Sequence, residues 1–197
     1  MKSFEYDLGY LQAVIVVIED YLLVDELFWP INASPPEGEP AFPQLTLGGM
    51  LLAEARLKAL PVNRSQEEQR LHILSELERA RAKWRVNWEK KAQHSLSVRL
   101  RMWADFLEEY RSNPQDNAGR YRYEVRLRVM LELLSRECGE VVPAERESLA
   151  GLDLYLRGEL EMGGFIWEPE VQSSFPREPF WYLYGLLHSA SWRGGGH

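Results

Sequence analysis

From Val62 to Asn113 the chain runs 52 residues without a proline or a glycine, the residues that most readily end a helix. At about 100° per residue, Ile73, Leu77, Ala80, Trp84, Trp88, Met102, Phe106 and Tyr110 fall on one face of that stretch. A capping box at Ser65-Gln66-Glu67-Glu68 marks its start, the serine hydroxyl accepting from an end amide while Glu68 reaches back. The spacing predicts one helix over about 66–111, roughly 69 Å long. Its weak point for a bend is 91–99, where Lys91, Ser95 and Arg99 interrupt the apolar face.

The flanking segments read as further helices. Leu8, Leu11, Ile15, Ile18 and Leu22 recur at steps of three and four, which predicts a well-buried helix over about 5–28. Pro30, Pro35, Pro36, Pro40 and Pro43 then forbid regular helix and make 29–44 an extended loop. A helix over about 45–60 stops at Pro61. Residues 121–129 alternate apolar and polar as a strand would. The helix formers Met130-Leu131-Glu132-Leu133-Leu134 that follow, and the want of a strand partner, favour a helix over about 118–138. Helices over about 145–158 and 178–190 complete the reading, the latter inside an irregular, aromatic-rich tail, 159–197. The fold predicted is one all-α domain, a bundle of five to seven helices.

The longest clean apolar run, Ala13 to Ile18, is six residues, far short of the ~20 that span a bilayer. The N-terminal residues do not resemble a secretory leader. The single cysteine, Cys138, excludes an internal disulfide and any multi-cysteine metal centre. At a helix end it is a poor nucleophile, because the negative pole of the helix raises a thiol pKa. A cytoplasmic protein is the expectation. Net charge is −8 over residues 1–78, +7 over 79–128 and −6 over 129–197. The acidic total disfavours a dedicated nucleic-acid protein, and the three segments can neutralise one another on folding.

Three clusters are candidates for function. In 79–101, eight basic residues stand against Glu89, with Trp84 and Trp88 one turn apart, the cation-plus-ring pattern that single-stranded nucleic acid requires. Both tryptophans lie on the apolar stripe, which favours packing. Within the same segment Lys91, Ser95 and Arg99 stand at i, i+4, i+8 on the inward face, where they either pair with acids of the flanking segments or bind a small anion. Glu68, His72 and Glu76 repeat that spacing and present oxygen and nitrogen ligands to a divalent metal, although the Glu-x-x-His and His-Glu-x-x-His patterns are absent. Phe165, Trp167, Phe175, Trp181 and Tyr184 belong to an aromatic concentration in the tail, suited either to closing the core or to meeting a partner or ligand.

No nucleophile elbow, phosphate loop or dinucleotide fingerprint occurs. The leading expectation is a non-enzymatic interaction protein that associates with itself or with a protein partner. The alternatives are a metal-dependent helical-bundle enzyme or a small-anion-binding protein, and, third, a binder of single-stranded nucleic acid.

Overall fold

The computed structural model describes residues 3–189. Helix α1, Phe4–Leu23, starts where the Ser3 hydroxyl accepts from the Tyr6 amide at 3.0 Å. It buries Leu8, Leu11, Val14, Ile18 and Leu22 along the stripe that the sequence predicts. It stops short of residue 28 because its end is sealed from elsewhere. Asp25 and Glu26 oppose the negative pole of the helix, and no basic residue stands in its last turn. The cation comes from another helix: Lys91 Nζ donates to the carbonyls of Val24 and Glu26 at 2.6 and 2.8 Å, and Asn87 Nδ2 to that of Leu22 at 3.3 Å. The proline-rich loop then leaves and returns, its ends clamped by paired backbone bonds between Trp29 and Leu45.

Helix α2, Leu47–Ala59, is capped by Thr46, whose hydroxyl accepts from the Gly49 amide at 3.1 Å. Gly48 lets it approach the helix at 126–137, since a Cβ there would stand 3.3 Å from both Leu134 Cδ1 and Met130 Cβ.

The long stretch is helical from end to end with one break, which gives α3, Arg64–Lys83, and α4, Arg85–Ser112. The break lies at Trp84 (φ −111°, ψ 30°) and not at 91–99. Residues 91–99 stay regular because Lys91 finds carbonyls to bond, so their polarity does not strain the helix. At Trp84 the chain turns from packing on α1 to packing across the helix at 126–137, a tertiary demand that leaves no mark on the hydrophobic spacing. The capping box is also displaced from its predicted position. It is Asn63 and Gln66, each side chain accepting from the other's amide at 3.0 and 2.9 Å, rather than Ser65 and Glu68.

Two single-turn helices, α5 (Pro114–Asn117) and α6 (Tyr121–Glu124), lead into α7, Arg126–Glu137. The alternating segment is therefore helical, with Tyr121, Val125, Leu127 and Val129 buried and Tyr123 exposed. Helix α8, Pro143–Glu159, follows. Among the described residues the strands are β1, Leu160–Met162, and β2, Gly185–Leu187, paired antiparallel. The helix predicted over 178–190 is instead a short 3₁₀ turn, 181–183, followed by β2. This segment is buried nearly all round, through Trp181, Tyr182, Leu183 and Leu187, so it has no polar face to set a helical period. Gly185 fits the pairing because a Cβ would come 2.6 Å from the Glu161 carbonyl oxygen. The rest of the predicted tail, from residue 190 onward, lies outside the described residues. No described helix is long and apolar enough to cross a membrane.

Candidate functional site

Lys91, Ser95 and Arg99 are all buried, at 5%, 5% and 8% exposure, yet they do not form one site. Lys91 seals α1, with its ammonium 4.3 Å over the Tyr21 ring. Burial presses its pKa down while Asp25 and Glu26 oppose the shift. Ser95 lies beside the Tyr21 hydroxyl. Arg99, two turns beyond Lys91, reaches the wall of a cleft of about 1010 Å³.

Several distant segments build that cleft. Tyr6 and Tyr10 come from α1, Phe28 and Pro40 from the segment between α1 and α2, Gly49 and Arg56 from α2, Met102 from α4, and Arg122, Tyr123 and Arg126 from the turns into α7 and its first residue. Ile166, Trp167 and Glu168 of the tail complete it. At one end Arg56 is held by Asp7 at 3.1 Å and by Glu168 at 3.5 Å.

The other end is different. Arg99 Nη2 donates to the Thr46 hydroxyl at 3.0 Å and Nη1 to the Met102 sulfur at 3.1 Å, while Nε is buried without a partner among the described residues. Among the described residues no carboxylate pairs with it. The remaining interior arginines are all matched: Arg128 to Asp153, Arg81 to Glu54 and Glu137, Arg56 to Asp7. Burial, and then the like charge of Arg126, push the Arg99 guanidinium below its ordinary pKa, but an arginine stays charged at neutral pH.

The surroundings suit a negative charge. Thr46 opens α2, whose first turn holds no acidic side chain, so the positive pole of that helix lies beside Arg99. The Tyr10 hydroxyl is buried without a hydrogen-bond partner among the described residues, close to Gly49, where a Cβ would be 3.9 Å from it. Burial raises its pKa, so it remains a neutral donor.

The other candidates fall differently. Glu68 and His72 are exposed on α3, and Glu68 and Glu76 pair with Arg64 and Arg79. Among the described residues no three His, Cys, Asp or Glu side chains are grouped to hold a metal. In the basic segment Arg79, Arg81, Lys83 and Arg85 are tied to Glu76, Glu54, Glu19 and Glu89, and Trp88 is buried with its Nε1 on Glu137 at 2.8 Å. Of the tail aromatics, Phe175, Trp181 and Tyr184 are buried in the core. Phe165 packs on Tyr184. Trp167 faces the cleft and donates to the Arg122 carbonyl at 3.0 Å.

Cys138, half-buried after α7, has its thiol pushed up to about 11 by burial and then by Glu145, Glu137 and Glu89. Alkylation by iodoacetamide at pH 8 is expected to run about a hundredfold slower than for a free cysteine thiol, following the thiolate fraction. A rate within tenfold of free cysteine would contradict that burial.

Sequence reasoning finds Arg99, a charge on an apolar stripe, but misses Tyr10, Thr46, Phe28 and the cleft itself. Gly48-Gly49 inside a helix start is the one local hint. No family model, curated protein or solved structure matches the chain, so the functional argument rests on this geometry.

Proposed function

We propose that this protein binds a small anionic molecule in the cleft, with Arg99 as its charge-recognising residue. One observation carries the reading: a guanidinium 8% exposed in the cleft wall has no carboxylate among the described residues to neutralise it. An uncompensated buried charge costs several kcal/mol, and a chain that matches its other interior arginines so fully keeps this one open at a corresponding loss of stability. Such a cost is usual at a site shaped for a ligand. Helix α2 and Tyr10 add a dipole and a neutral donor on the same side.

The test is ligand-linked stability. Benzoate, butanoate, inorganic phosphate and sulfate, each titrated at constant ionic strength, are expected to include at least one that raises the melting temperature of the wild type in a saturable manner. A ligand at a hundred times its Kd contributes about 2.7 kcal/mol. Arg99→Met, with its fold checked by circular dichroism, is expected to lose that response. No saturable response in the wild type, or an equal response in the variant, would overturn the reading.

A further inference from the structure

We infer that the ligand is an amphipathic monocarboxylate, its head at Arg99 and its apolar body lying along the cleft toward the mouth. This inference rests on the anion-binding reading and adds the ligand's charge, size and tail.

The charge follows from the residues at the buried end. Among the described residues Arg99 is the one buried cation there. Arg126 stands nearer the solvent, already 3.5 Å from Glu124 and stacked on the Tyr123 ring at 3.7 Å. One buried guanidinium balances one negative charge. A dianion would leave a surplus charge out of water, which low-dielectric surroundings penalise. The protein itself shows the pairing that fits: Arg128 grips Asp153 through Nε and Nη2, both at 2.8 Å, the two-point geometry of a carboxylate on a guanidinium.

The tail follows from what surrounds that charge. Phe28 is 47% exposed, Met102 38% and Tyr123 63%, and all three large apolar side chains line this one cleft. Exposed hydrophobic residues scattered singly need no explanation, whereas a cluster rimming a cavity marks a binding surface. The cluster is continuous with the cation. The Arg99 guanidinium lies 5.6 Å over the Phe28 ring, and Met102 accepts from it. Leu52 and Ile166 add to the apolar wall. A volume of about 1010 Å³ far exceeds what a bare phosphate or acetate fills and matches the upper range of drug-sized ligand sites. Methionine at Met102 and Met130 gives the wall a shape that adapts to an unbranched chain.

Calorimetric titration of the full chain with butanoate, hexanoate and octanoate tests this, with inorganic phosphate and octyltrimethylammonium as the other arms. Octanoate is expected to bind at least about tenfold tighter than butanoate, given roughly fourfold for each methylene fully buried. Phosphate is expected to bind more weakly than octanoate and the cationic surfactant not at all. Phe28→Ser with Tyr123→Ser, both exposed positions, is expected to erase most of the affinity gain from butanoate to octanoate. Arg99→Met is expected to lose all the carboxylates.

Binding that depends on Arg99 but not on chain length, or phosphate as tight as octanoate, would overturn this inference and leave anion binding standing. A chain-length gain that survives in Arg99→Met, or equal binding of the cationic surfactant, would also overturn it, by placing the apolar site away from the guanidinium. No Arg99-dependent binding of any probe would overturn both readings.

Discussion

Asp153→Ala is expected to destabilise the fold by about 3 kcal/mol, the low end of what breaking a buried ion pair costs, which for a chain of this length lowers the melting temperature by about 6–12 °C. Arg128, 5% exposed, is clamped by that carboxylate at two points and lies 4.5 Å over the Tyr182 ring. The pair therefore joins α7, α8 and the tail in one contact. Removing Asp153 leaves the guanidinium buried with Glu132 at 3.6 Å as its remaining acid, which is why the lower end of the range applies. Urea denaturation of Asp153→Ala measures the loss, and Asp153→Ala with Arg128→Met is expected to regain most of it, because the stranded charge is then gone. A loss below 1 kcal/mol in the single variant would show that the clamp contributes little.

Arg99→Met is expected to have the opposite sign. Without ligand the variant should be more stable than the wild type by about 1 kcal/mol, a rise of about 2–4 °C. Removing an uncompensated buried charge relieves a desolvation penalty of several kcal/mol, and the lost hydrogen bond to Thr46 returns about 1.5–3 kcal/mol of that. An arginine kept for structure behaves like Arg128, and its removal destabilises. A residue kept for a ligand burdens the empty protein. Thermal denaturation in an anion-poor buffer separates the two, and a loss of more than 1 kcal/mol in Arg99→Met would make Arg99 a structural residue.

How much of this is legible in the sequence depends on how far apart the deciding residues lie. The stripe of α1, the stop of α2 at Pro61 and the helical continuation through Met130 are local patterns, and the all-α class follows from them. The break at Trp84 is not local, because α3 and α4 change partners there while their apolar spacing continues unbroken. Strand β2 is hidden for a related reason: Trp181, Tyr182, Leu183 and Leu187 are all buried, so the segment around it shows no helical polar face, and its pairing with β1 is fixed by a glycine's clearance from a backbone 24 residues earlier. The candidate site divides in the same way. Arg99 stands out as a cation on an apolar face, and its neighbours Lys91 and Ser95 look equivalent to it in the sequence. Only tertiary packing separates them, giving Lys91 the carbonyls at the end of α1 and giving Arg99 no acid among the described residues. Tyr10, Thr46, Phe28 and Tyr123 are contributed by four different segments, each unremarkable in its own stretch.

The most direct measurement is a crystal structure of the protein grown with saturating octanoate. Anion binding at Arg99 requires the carboxylate within hydrogen-bonding distance of that guanidinium, on the Thr46 and Tyr10 side of the cleft, with the chain running toward Phe28 and Tyr123. A carboxylate bound elsewhere while the cleft holds only solvent, or an Arg99 side chain turned away to pair with an acidic residue of its own chain, would contradict it.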